Sequence, residues 1–108
     1  MISAEFFVSD DVFLGFRVEG HSGYAESGSD IVCASVSSAA ILTANTLSEV
    51  FGLRADVRTD DDGYIKFIVL ENSDSADKTL RGLHMFLEGL SLQYSDYLGV
   101  SCKDFVRD

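Results

Sequence analysis

The sequence predicts an α+β fold: a two-layer sandwich in which a mostly antiparallel sheet of four to five strands carries two helices on one face. Three observations carry this. The chain has 108 residues, enough for one two-layer core and too few for two. Its alternating apolar segments come in pairs joined by turn residues. Two longer segments instead repeat their apolar residues at three- and four-residue spacing. The organisation expected is one domain spanning residues 1–108.

The elements follow in order. Ile2 to Val8 and Val12 to Glu19 read as two strands joined across Ser9-Asp10-Asp11. Ile2, Ala4, Phe6 and Val8 share one face of the first, and Val12, Leu14, Phe16 and Val18 one face of the second, as half-buried strands require. Gly20 to Asp30 breaks the pattern with three glycines and three serines and reads as a loop. A helix is expected from near Ile31 to about Phe51, stopped by Gly52, with Val36, Ala40, Ala44, Leu47 and Phe51 as its buried stripe. Arg54 to Thr59 and Tyr64 to Leu70 form a second hairpin turning at Asp62-Gly63. Asn72-Ser73-Asp74-Ser75 offers caps for a second helix, whose stripe is Leu80, Leu83, Leu87, Leu90 and Tyr94. Gly82 and Gly89, a heptad apart, mark either a close-packing seam or a dimer contact on that helix. Leu98 to Val106 is a closing strand, with Leu98, Val100 and Cys102 facing inward as core.

Composition narrows the function classes. An apolar fraction of 46% excludes a disordered chain. Eighteen acids against eight bases leave a net charge of −10, which disfavours direct binding to a phosphate backbone and favours basic partners. No apolar run is expected to span a membrane, and Met1-Ile2-Ser3-Ala4-Glu5 lacks the basic start of a signal peptide. Two cysteines fit reduced thiols better than a disulfide scaffold. The expectation is a cytoplasmic protein without a membrane partner.

The chemistry concentrates between Gly20 and Ser37. His21 closes a strand, a glycine-rich loop follows, and Cys33 sits in the first turn of a helix that Asp30 is placed to cap. The partial positive charge of a helix N-terminus stabilises a thiolate. The thiolate is a nucleophile, an imidazole can protonate a leaving amine, and first-turn amides such as those of Cys33 and Ala34 can meet an oxyanion. If Asp30 caps the Cys33 amide, however, that donor is occupied. A cysteine between Val32 and Ala34 is equally an ordinary small buried side chain. The residues alone leave both readings open.

Gly20-His21, a glycine-bearing loop, and then Gly28-x-Asp30-Ile31-Val32-Cys33-Ala34-x-x-Ser37 together resemble the ribosomal-processing cysteine proteases of bacteria. The resemblance implies a hydrolase that removes a short N-terminal extension from a basic large-subunit ribosomal protein, cutting after an aromatic residue in an apolar stretch. It maps the nucleophile to Cys33 and the base to His21, and gives Asp30, Ala34 and Ser37 supporting roles in capping, orientation or oxyanion binding. It makes Ser22, Gly23, Tyr24 and Gly28 part of a substrate loop, and it implies a homodimer. Neither a cofactor nor a metal is expected. Asp60-Asp61-Asp62-Gly63 reads as a hairpin turn, because Arg58 and Val69 stand where a calcium loop needs an acid. Cys33, His21 and Cys102 are too few for a zinc site. The alternatives are a non-enzymatic ribosome-assembly or binding factor with the same acidic surface, and a thiol-redox protein closing a Cys33–Cys102 disulfide.

Overall fold

The structure, a computed structural model, describes residues 1–26 and 30–106. Strands β1 (Ile2–Ser9) and β2 (Val12–Glu19) form an antiparallel hairpin. Its two-residue turn, Asp10-Asp11, has both residues at positive φ (50° and 63°), the backbone twist that a tight hairpin needs. Helix α1 (Ile31–Asn45) follows and runs into a π-helical turn at Thr46–Val50. Strands β3 (Ala55–Thr59) and β4 (Ile65–Val69) make the second hairpin. Helix α2 (Asp74–Gln93) leads to β5 (Leu98–Asp104).

The sheet order is β3-β4-β2-β1-β5. Three of the four pairings are antiparallel, as expected, but β5 lies parallel to β1. The crossover through α2 brings β5 back in the direction of β4, and β4, like β1, is antiparallel to β2. Register places Phe6, Phe16 and Phe67 opposite one another on β1, β2 and β4. All three are buried, and their ring centroids lie 6.4 Å and 6.1 Å apart in sequence across the strands. Val32, Val36, Ala40 and Leu47 from the first helical segment and Ala76, Leu80, Leu83 and Leu87 from α2 close over this row. The opposite face carries Glu5, Arg17 and Lys66. There Phe7 is covered by Phe105, with the Lys66 ammonium 5.6 Å from its ring centre.

Three expectations change. Phe51 leaves the buried stripe and is half-exposed. The last turn is wide, with the Phe51 amide reaching the Thr46 carbonyl, so a 3.6-residue period loses phase there. A Cβ at Gly82 or Gly89 would meet nothing, so neither marks a tight seam. Finally, Ile31–Val50 does have the length and mean hydropathy, 1.5, of a membrane span. Its one buried face packs in the core, and the hydroxyls of Ser35, Thr43, Thr46 and Ser48 bond back to carbonyls four residues earlier, which masks part of their polarity.

Helix α2 is tied to the first hairpin. Ser73 caps it, its hydroxyl accepting from the Ala76 amide. Asp77 then accepts the Phe13 amide at 2.8 Å and Arg81 Nε at 3.0 Å. Leu80→Ala, in the middle of this contact, is expected to cost about 2–5 kcal/mol. Leu92→Ala, on the outer face of the same helix, is expected to change stability by less than about 0.5 kcal/mol. Urea unfolding midpoints of the two variants check this.

Candidate active site

Strand β2 delivers the histidine. Gly20 follows its last residue at φ +93°, and a Cβ there would lie 2.7 Å from the Met1 carbonyl oxygen, so only glycine lets the chain leave the sheet here. His21 comes next and is exposed; its Nε2 stands 3.1 Å from Asp62 Oδ1, in the β3–β4 turn.

Helix α1 delivers the cysteine. Asp30, extended at φ −83° and ψ 97°, accepts the amides of Val32 and Cys33 on Oδ1, both at 3.0 Å. This is the expected N-cap. Its other oxygen takes a hydrogen bond from the Ser22 hydroxyl. Ser22 is buried, at 3% exposure, its hydroxyl also accepts the Tyr24 amide, and its own amide donates to Cys33 Sγ at 3.3 Å. One serine and one aspartate therefore fasten the exit of β2 to the first turn of α1. The Asp30 carboxyl is held below its ordinary range, chiefly by the Ser22 hydroxyl, then by the Cys33 amide, with the Cys33 thiol and Val32 amide adding to the effect against partial desolvation.

Cys33 is half-buried and lines a cavity of about 590 Å³ with His21, Gly23, Ala25, Asp30, Ala34 and Ser37. His21, Asp30, Cys33, Ala34 and Ser37 thus meet at one place. Ser37, one turn beyond Cys33 and exposed, also lines an adjoining cavity of about 190 Å³ with Val18, Ala40, Ile41, Tyr64 and Ile65.

The expected oxyanion donors are not available. The Cys33 amide is spent on Asp30 Oδ1, and the Ala34 amide on the Asp30 carbonyl at 3.0 Å, the first backbone bond of the helix. Of the expected substrate loop, Gly23 lines the cavity, Ser22 turns inward, and the Tyr24 ring stands edge-on to Tyr94 and Tyr97 at 5.5 and 5.2 Å. Gly28 lies outside the described residues. Among the described residues, no group of three or more His, Cys, Asp or Glu side chains is arranged to hold a metal ion.

A second cysteine–histidine pair went unnoticed in the sequence. Cys102 is exposed rather than core, because β5 is an edge strand whose burial fades beyond Leu98. Its Sγ lies 3.6 Å from His84 Nε2, and His84 Nδ1 lies 3.3 Å from Glu88. Partial desolvation at the sulfur and the charge of Glu88 push this thiol upward, away from thiolate. The His84 ring packs edge-on against Phe6 at 4.9 Å and Phe13 at 5.4 Å. No helix end supports Cys102.

A helix-capped cysteine and a strand-end histidine facing one cavity have the parts for thiol-based acyl transfer. Comparison with known proteins supplies the class. The chain matches the cysteine protease Prp family over residues 1–99 and belongs to it; it is a cysteine protease. It is 30% identical to the ribosomal processing cysteine protease Prp of Bacillus subtilis over 98 residues, 85% of this chain and 88% of that one. To the Staphylococcus aureus protein of the same name it is 27% identical over 106 residues, covering 95% and 100% of the two chains. Among solved structures, the essential ribosomal processing protease Prp from S. aureus, in complex with a covalently linked product peptide, superposes with a TM-score of 0.90 at 25% identity, covering 95% of this chain and all of that one. SMU.848 from Streptococcus mutans shares the fold, with a TM-score of 0.85 at 22% identity over 97% and 96% of the chains.

The lowered Asp30 carboxyl has a consequence with a definite sign. Its stabilisation is complete above the unfolded carboxyl's ordinary value, about 3.9, and is lost as pH falls through the lower folded value. Asp30→Asn should melt below wild type near neutral pH, with the gap closing below about pH 4. Asp30→Ala, which also loses the cap, should be less stable than Asp30→Asn throughout. Thermal melts across that pH range check both.

Proposed function

We propose that Cys33 is the nucleophile and His21 the general base and acid of a protease that removes an N-terminal extension from a large-subunit ribosomal protein. The observation that carries the pair is a coincidence of sequence and place. Cys33 is the sole cysteine within residues 1–99, the stretch matched to the protease family, and it lines one cavity with His21. Cys102 falls outside that stretch, on an edge strand, with its thiol pushed toward the protonated form.

In this reading His21 takes the Cys33 proton as the sulfur attacks the scissile carbonyl, and returns it to the leaving amine as the peptide bond breaks. A thioester remains, and water activated by His21 hydrolyses it and frees the thiol. The Ser22 amide, donating to Cys33 Sγ, faces the charge that gathers on sulfur, while Asp30 positions the helix end that bears it. The substrate follows from the relatives: the B. subtilis and S. aureus proteins are named for ribosomal processing, and the S. aureus protease has been crystallised with a product and with a substrate peptide. The net charge of −10 suits a basic substrate protein. The same reading has the enzyme act in the cytoplasm and as a homodimer, for which the outward-facing Leu42, Phe86 and Leu92 offer apolar surface.

Cleavage of a peptide copying the N-terminal extension, followed by mass spectrometry, tests the proposal. Cys33→Ala and His21→Ala should each lose about a thousandfold or more, because members of a cooperating pair fail together. Cys102→Ala should keep full activity, and iodoacetamide should label Cys33 ahead of Cys102. A Cys33→Ala protein that cleaves normally would end the reading and move the nucleophile elsewhere, first to Cys102 beside His84.

A further inference from the structure

The turn between β3 and β4 belongs to the site, although its sequence suggests only a hairpin. Asp60 fixes it from within: its Oδ1 accepts the amides of Asp62 at 2.8 Å and Tyr64 at 3.2 Å. Gly63 then lies against the exit of β2. A Cβ there would stand 3.4 Å from the Gly20 carbonyl oxygen and 3.6 Å from His21 Cε1. The turn is therefore seated on both the backbone before the histidine and the ring itself. Asp60 is committed to the turn's amides and Asp30 to the helix cap, and Asp62 is the carboxylate that meets the imidazole.

We propose that Asp62 is a positioning residue for His21, holding the imidazole with Nε2 as the hydrogen-bond donor so that Nδ1 is the nitrogen that exchanges the proton with Cys33 and the leaving amine. The proposal rests on the reading of Cys33 and His21 as the reacting pair. Its chemistry is simple. A carboxylate only accepts, so the nitrogen 3.1 Å from it must carry the N–H of the neutral ring, and the lone pair falls on the other nitrogen. When Nδ1 takes the thiol proton the ring becomes positive, and Asp62 already faces it. His21 and Asp62 side chains are 66% and 90% exposed, so water screens the pair. The effect should be about two- to fivefold, well short of the roughly ten-thousandfold seen for a buried orienting carboxylate.

Two measurements on the full chain test this together. Nitrogen-15 spectra of histidine-labelled protein report which ring nitrogen holds the proton, with His21→Ala separating the two histidine signals. Cleavage kinetics on the extension peptide give kcat and KM. The expected result is a wild-type His21 protonated on Nε2, a mixture of tautomers in Asp62→Ala, and a kcat in that variant lower by about two- to fivefold at unchanged KM. Asp62→Asn, whose carbonyl oxygen can still accept from Nε2, should restore the tautomer and most of kcat. Because Asp60 holds the turn, both variants should melt like wild type. A wild-type His21 protonated on Nδ1, a tautomer indifferent to Asp62, or an Asp62→Ala kcat equal to wild type would overturn the proposal. Failure of the underlying pair would look different: His21→Ala or Cys33→Ala would then cleave normally whatever the tautomer.

Discussion

The carboxylate of Asp30 is the joint of the candidate site. The amides of Val32 and Cys33 and the hydroxyl of Ser22 converge on its two oxygens. The amides come from the start of α1 and the hydroxyl from the segment just beyond β2, so one side chain sets the distance between two elements that share no regular secondary structure. The histidine and cysteine belong to those same two elements. The negative charge that does this also lies at the positive end of a helix, where the capping bonds and the dipole reinforce each other. The cost is chemical: the amides drawn to the cap are withdrawn from any other acceptor.

Behind this joint the sandwich supplies stiffness. The row Phe6, Phe16, Phe67 spans three neighbouring strands in register, and such cross-strand pairs are the unit of sheet stability. The strand that leads through Gly20 to His21 is one of the three, so the histidine hangs from a strand anchored in the core. Helix α2 never reaches the cavity. Its contribution is to hold the first hairpin through Asp77 and to close the core through Leu80, Leu83 and Leu87.

Much of this was legible in the residues. Period-two and period-3.6 patterns located seven elements to within a residue or two, because each buries one face. Asp30 as cap, and Cys33 at the third helical position, followed from spacing along a single helix. What escaped was set by contacts between distant segments. The π-helical turn moved Phe51 outward, and no local pattern announces such a turn. Cys102 alternates correctly with Leu98 and Val100, yet alternation names a face and does not say how far the opposing helix covers it. Asp62 and His21 are 41 residues apart, and only the order of strands brings them together. Ser22, which the resemblance makes part of a substrate loop, instead turns inward and bonds Asp30.

The pairing of β1 with β5 has a kinetic side. Ile2 registers with Leu98 and Val8 with Asp104, so one strand of the sheet's interior finds its second neighbour only 96 residues further along. During synthesis β1 can pair with β2 as soon as the hairpin is made, while its other edge stays bare until β5 follows. Closing so long a loop is slow compared with forming hairpins and helices. A half-made chain thus exposes an open strand edge of the kind that invites pairing with other chains. Completion of the sheet therefore waits on everything between β2 and β5.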